Sequence, residues 1–315
     1  MTTCTWSTPE DKNDLIDFID YVFSKTARPH DFATLLPKLY GERGDAASHH
    51  IVVREEGRIA ATMVAYPVRM RVSGEEILTL GIGSVSVHPR ARGKGYMTLM
   101  MDALDKRAAE TGAVMAVLGG RRQRYEYFGF QKTGLTMQAH LNTANVRHAL
   151  REVDIAGYSL APMEQTHVPA ALALQASQPC CCLRTEANFI DVLRTWNAEP
   201  LTILHGNEIV GCCTVADHDV GELLLSNEAH APYALKLLSE RFGHLTLHAA
   251  PWEADRAALL SRICEDFEVC PANQVKFYQP EKARALFAPL GGTDALTWHG
   301  FTPSLPVYIP SPDCV

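Results

Sequence analysis

At 315 residues, 47% of them hydrophobic and 21% charged, the chain has ordinary globular composition and room for two domains, each with its own core. A net charge of −7 argues against broad nucleic-acid binding, which needs a basic surface to displace counterions. The longest apolar runs, such as Leu99-Met100-Met101, are too short to cross a bilayer, and Asp11, Asp14, Asp17 and Asp20 stand where a secretory signal would be basic and then apolar, so a cytosolic protein with no membrane partner is expected.

Residues 9–24 read as an amphipathic helix, with Leu15, Ile16, Phe18, Ile19, Val22 and Phe23 at helical spacing, and 31–40 as a shorter one. Strands follow at 51–53 and 58–68 around Glu56-Gly57, then a hairpin of 68–72 and 77–83 turning at Ser73-Gly74. The last strand continues through Val87 to Pro89, which cannot donate to a ladder. Residues 95–111 form a helix with Met97, Leu99, Met100, Met101, Leu104 and Ala108 on one face and Gly112 as its stop. A strand at 114–118, a helix at 120–128 and a strand at 130–135 complete a compact α/β layer.

Residues 141–160 read as a connection. The second half then repeats the order: helices at 166–178 and 185–197, a hairpin around Gly206-Asn207, a strand at 221–225, a helix at 231–242, a strand at 245–249, a helix at 254–267 and a strand at 275–278. The expected fold is therefore α/β (α+β), two tandem domains with mixed sheets flanked by helices, over 1–145 and 146–280, with a tail over 281–315. Nine cysteines occur in uninformative positions. Cys180-Cys181-Cys182 and Cys212-Cys213 are adjacent runs and no C-x-x-C pair exists, so they read as small buried residues in a reducing compartment, with no metal.

The informative stretch is Val85-Ser86-Val87-His88-Pro89-Arg90-Ala91-Arg92-Gly93-Lys94-Gly95-Tyr96. A strand, a proline stop, a basic glycine loop and a helix start leave several backbone N–H groups without partners, and the helix dipole adds positive potential there. Gly93 and Gly95 let the backbone approach an anion, and Arg90, Arg92 and Lys94 add charge; the favoured ligand is a pyrophosphate. The dinucleotide fingerprint fails for want of a third glycine, both here and at Gly81-Ile82-Gly83, and the P-loop fails because Gly95 follows Lys94.

Arg90-Ala91-Arg92-Gly93-Lys94-Gly95 resembles the [QR]-x-x-G-x-[GA] signature of GCN5-related N-acetyltransferases (GNAT), and Tyr125-Glu126-Tyr127-Phe128-Gly129-Phe130 resembles that family's Y-x-x-x-G-F segment. The resemblance implies acetyl-coenzyme A (acetyl-CoA) as cosubstrate and a primary amine, on a small molecule, an antibiotic or a peptide lysine, as acceptor. It implies that Val85, Ser86 and Val87 pair with the pantetheine arm, and that the backbone from Arg92 through Gly93, Lys94, Gly95 and Tyr96 to Met97, with Arg90 beside it, holds the pyrophosphate. Tyr125 would protonate the departing thiolate, its phenol having a pKa near a thiol's; a purely structural tyrosine is the other reading. An amide near Val87 would stabilise the oxyanion. No metal is required.

The two-copy layout resembles the enhanced-intracellular-survival (Eis) acetyltransferases, without their sterol-carrier-like third domain. That subgroup uses its terminal carboxylate as base, which implies Asp313 or the Val315 carboxylate here. Strand 77–87 carries Ser84 and Ser86 where some relatives place a glutamate, which favours the alternative of a non-catalytic acyl-CoA binding or sensing module. His88 reads as a surface residue, His49-His50 lacks metal-ligand spacing, and Arg121-Arg122-Gln123-Arg124 reads as either a solvated face or a phosphate contact. The second copy has neither glycine nor arginine between Leu225 and Ala234. It is expected to bind no coenzyme and to shape the acceptor cleft or a homo-oligomer interface.

Overall fold

The computed structural model describes residues 2–25, 29–291 and 305–315. The chain forms two compact units: Met1–Lys132 with Asn273–Ala285 and Cys314–Val315, and Thr133–Ala272 with Leu286–Asp313.

In the first unit β1 (Thr2–Trp6), β2 (His50–Glu55), β3 (Arg58–Val72) and β4 (Glu75–Val87) run antiparallel in that order. Both hairpins turn through two residues at positive φ, Glu56-Gly57 and Ser73-Gly74, the geometry whose twist suits adjoining strands. β3 is one strand through Pro67, not two meeting at Val68; its pairing with β2 has ended at His50↔Val64, short of the proline. β1 lies outside the predicted strands because it is short and almost wholly exposed, with only Cys4 and Trp6 to mark an apolar alternation. β5 (Met115–Leu118) runs parallel to β4, and residues 274–277 pair antiparallel with it.

Helix Lys12–Ser24 buries Leu15, Ile19 and Val22, spaced for one face. The helix expected over 31–40 is two single turns, Phe32–Leu35 and Pro37–Tyr40, because Pro37 holds Leu36 out of the helical region. Helix Tyr96–Thr111 buries Met100, Met101, Leu104 and Ala108 against Leu80, Ile82, Ala116 and Phe130 and stops at Gly112 (φ 68°); Leu99, counted in its apolar face, is exposed.

In the second unit β7 (Tyr158–Pro162), β9 (Glu199–His205), β10 (Glu208–Ala216) and β11 (Asp219–Leu225) are antiparallel neighbours. β12 (Leu245–Ala249) runs parallel to β11, and Met137–Leu141 of β6 (Gln131–Leu141) pairs antiparallel with β12. The triple cysteine is the short buried strand β8 (Cys180–Cys182), and β13 (Asp266–Phe277) is the last. The order of antiparallel strands, helix and parallel strand thus repeats. Residues 141–160 are more than a connection: Asn142 caps a helix, Thr143–Ala149, through the Asn145 amide at 2.8 Å. The helix expected over 185–197 is shorter, Phe189–Leu193, ending in a turn with Trp196 and Asn197 at positive φ.

The compact units cut the chain at 132/133 instead of 145/146, and they return 273–285 to the first unit. The reason lies in strand pairing. The strand that completes each sheet comes from the other half of the sequence: 274–277 on β5, and 137–141 on β12. Among the described residues no helix is long and apolar enough to cross a membrane, and no group of three or more His, Cys, Asp or Glu side chains could hold a metal ion.

Candidate active site

The basic glycine loop is built as its sequence requires. His88 caps the short turn Pro89–Ala91 by accepting from the Arg90 amide at 3.2 Å. Gly93 (φ 80°) and Gly95 (φ 78°) are both left-handed, a conformation that glycine alone adopts without cost. The Thr98 and Leu99 amides turn back to the Gly95 carbonyl at 3.1 and 3.3 Å. The Tyr96 and Met97 amides ahead of them have no intrahelical acceptor, and no side chain caps this helix. A Cβ added at Gly93 or Gly95 would meet nothing within 4 Å. The space over the loop is open, which is what an anion bound by bare amides needs. Arg90 and Arg92 are exposed, whereas Lys94 donates to Glu55 at 2.7 and 3.0 Å. Among the described residues, Arg90 and Arg92 are therefore the unspent cations of this loop. His88 is half-buried, its ring stacked on Tyr21.

Next to the loop the sheet opens. β4 pairs with β5 only from Thr79↔Met115 to Ile82↔Leu118, then runs on through Gly83 to Val87 with β3 as its partner. At the point of parting, the β3–β4 register slips between Thr62 and Val64, and Ser84 sits at φ 50° in a bulge. Val85 and Val87 are half-buried, and Ser86 is buried, its hydroxyl donating to the Ser84 carbonyl at 3.0 Å. One edge of 83–87 thus has no strand beside it from β5.

Tyr125 ends the helix Arg122–Tyr125, buried edge-on against Phe130. Its ring lies along Gly120, where a Cβ would come within 3.3 Å of it. Burial raises the phenol's pKa, with Arg124 pulling the other way, so the hydroxyl is protonated at neutral pH. It has no hydrogen-bond partner among the described residues. Arg121, Arg122 and Arg124 are exposed, and Arg122 pairs with Glu126 at 3.0 Å.

The last residue of the chain returns to the same strand. Val315 packs against the cluster of Ile19, Phe32, Leu39, Tyr40 and Val64, and Lys38 donates to the Cys314 carbonyl. A Cβ at Gly81 would strike the Val315 side chain, and one at Gly83 would lie 2.6 Å from its carboxyl carbon. The glycine pair that fails as a nucleotide fingerprint makes room for a backbone, the other common use of glycine in a strand. Asp313 belongs to the second unit. There both of its carboxylate oxygens accept from Arg184, which also donates to Glu222 at 2.8 and 3.0 Å.

Behind the bulge runs a buried polar chain that no local sequence motif announces. Tyr40 Oη lies 2.8 Å from Ser84 Oγ and 3.0 Å from His50 Nε2; His50 Nδ1 lies 2.8 Å from Thr62 Oγ1, which donates to the Ile51 carbonyl at 3.1 Å. Burial pushes the His50 imidazole down to about 3, so it is neutral. A histidine within an apolar strand, Ile51-Val52-Val53, was the available signal: it must be satisfied internally.

The acetyltransferase (GNAT) domain family matches residues 6–133, which include the loop, the open edge and Tyr125. Residues 6–133 are a GNAT N-acetyltransferase domain.

The fold likeness extends beyond this GNAT domain. A probable N-acyltransferase from Enterococcus faecalis superposes with a TM-score of 0.71 at 12% identity, over 91% of this chain and 75% of that one. A GCN5-related N-acetyltransferase from Anabaena variabilis gives 0.67 at 14% identity, over 91% and 75%. Eis1 from Mycobacterium abscessus gives 0.63 at 13% identity, over 91% and 76%. At these identities the likeness carries the fold. No curated protein sequence matches the chain. In the second unit β11 and β12 pair only at Asp219↔Thr246 and Val220↔Leu247 before parting. There the tail closes in: Ser311 and Pro312 lie against Gly221, and Asp313 reaches the Arg184–Glu222 pair. The GNAT-like opening of this copy has protein in it and no glycine loop.

Proposed function

We propose that the GNAT domain binds acetyl-CoA along Val85, Ser86 and Val87 and transfers its acetyl group directly to a primary amine. The open edge of β4 beside a left-handed glycine loop carries this reading, because it offers unpaired backbone to an amide-bearing arm and bare N–H groups to a diphosphate, in adjacent places. The pyrophosphate rests on the amides from Arg92 to Met97, with Arg90 and Arg92 as the free cations.

The amine nitrogen attacks the thioester carbonyl. An amide near Val87 takes the developing oxyanion, the C–S bond breaks, and Tyr125 gives its proton to the departing thiolate. The proton lost by the amine goes to the Val315 carboxylate, seated at Gly83. Asp313 is the weaker candidate for that role, since Arg184 occupies both of its oxygens. The acceptor is a small-molecule or peptide amine.

Titration calorimetry with acetyl-CoA tests the reading. Wild type should bind, and Gly95→Val should lose at least ~tenfold in affinity, since a branched residue is forced into a left-handed conformation there. Tyr125→Phe should keep the affinity and lose ~10²-fold or more in turnover, measured as free thiol against a panel of amines. Equal turnover in both would make Tyr125 a structural residue, and coenzyme binding without turnover in either would favour the acyl-CoA sensing module, to which the serines at 84 and 86 point. Gly83→Ala should expel the Val315 carboxyl and lower turnover without the same loss of coenzyme binding. An unchanged rate would remove the tail from the mechanism.

A further inference from the structure

The polar chain behind the bulge has a fixed direction. The Ile51 carbonyl can only accept, so the Thr62 hydroxyl donates to it and its lone pairs receive His50 Nδ1–H. His50 Nε2 is then an acceptor and takes the Tyr40 proton, and the Tyr40 oxygen takes the proton of Ser84. Every proton is committed inward. Ser84, Tyr40, His50 and Thr62 are all buried.

A proton relay is not what this chain provides. Carrying a proton from Ser84 inward would end on His50, whose imidazole stays neutral until about 3. Mechanical holding fits better. Ser84 is a non-glycine residue at φ 50°, a conformation that works against its Cβ and needs outside support. Its only side-chain anchor among the described residues is Tyr40. The register slip at this residue coincides with the last β4–β5 pair, Ile82↔Leu118.

We propose that Tyr40, oriented by His50, is a positioning residue for coenzyme binding: its hydrogen bond holds Ser84 in the left-handed bulge that parts β4 from β5. The inference rests on the reading of that open edge as the coenzyme's seat. The chain's direction sets how the holding works, since Ser84 donates to an acceptor that neighbours on two strands, β2 and β3, have already oriented.

The test is acetyl-CoA titration by calorimetry on the full chain, with thermal melts alongside. Ser84→Ala keeps the Cβ and loses the anchor; Ser84→Gly loses the anchor and also the need for it. Ser84→Ala and Tyr40→Phe should each weaken acetyl-CoA by roughly tenfold, the scale of an unsupported left-handed residue. Ser84→Gly should stay within about threefold of wild type, and Tyr40→Phe/Ser84→Gly should recover the affinity that Tyr40→Phe lost, because glycine takes this conformation freely. A merely structural chain would lower melting temperatures in Tyr40→Phe with no such rescue of affinity. The proposal is overturned if Ser84→Gly binds as poorly as Ser84→Ala, or if Ser84→Ala binds like wild type. Failure of wild type itself to bind acetyl-CoA would instead remove the reading of the site.

Discussion

Replacing Arg184 by methionine should destabilise the protein by about 3–5 kcal/mol, the usual cost of stranding a buried ionic partner. The Arg184 side chain is 1% exposed, and it is the shared partner of Glu222 and Asp313, each 6% exposed at the side chain. Burial already pushes the Glu222 carboxyl upward and only Arg184 draws it back. Without the guanidinium, two carboxylates would face each other in a dry site, and at neutral pH one would have to take a proton. The sign with pH follows. A carboxyl whose folded pKa is raised binds protons more readily folded than unfolded, so the variant's deficit should shrink as pH falls towards 5 and grow towards 8. Urea denaturation at both pH values reads this directly. Converting all three residues to apolar ones of similar volume should recover most of the loss, because the desolvation of the charges disappears with them. If Arg184→Met melted within about 1 kcal/mol of wild type, the triad would be a minor contributor.

Acid should weaken the fold through His50. An exposed imidazole in the unfolded chain titrates near 6.5, whereas the buried one resists protonation until about 3. The unfolded state therefore takes up a proton first. Stability contributed by the neutral ring is fully present above 6.5 and is lost as pH falls towards 3, by at most about 5 kcal/mol over that interval. His50→Gln, which can keep a donor and an acceptor in the chain but does not titrate, should flatten this part of the stability profile at some cost at neutral pH. A variant profile parallel to that of wild type between pH 6.5 and 4 would place the acid sensitivity elsewhere.

What could be read from the sequence divides along physical lines. Local signals were faithful. Gly93 and Gly95 demanded left-handed backbone before a helix and have it, and Gly112 ends its helix as expected. Glu56-Gly57 and Ser73-Gly74 are the turns they looked like. Failures came where a residue's role depends on something distant in the chain. Gly81 and Gly83 look locally like half of a nucleotide fingerprint, although they make room for Val315, more than 200 residues later. In the sequence His50 has only His49 beside it to suggest a role, because its partners Tyr40 and Thr62 come from other elements. Asp313 and Val315 looked equivalent in an acidic apolar tail. Only the fold shows that one carboxylate is held by Arg184 while the other is set at a glycine. The helix over 185–197 failed for a local reason, the left-handed pair Trp196-Asn197, which carries no glycine to announce it.

The crossing of final strands has a practical consequence for anyone dissecting this protein. A gene fragment encoding residues 1–145 would leave β5 without the ladder that 274–277 supply, and would carry 137–141 with nothing to bind. Bare ladders of this kind invite association between copies, so each half expressed alone should be insoluble. Together, as separately synthesised pieces, the two should rescue one another. On the ribosome, likewise, the first unit must wait for nearly the whole chain before it can close.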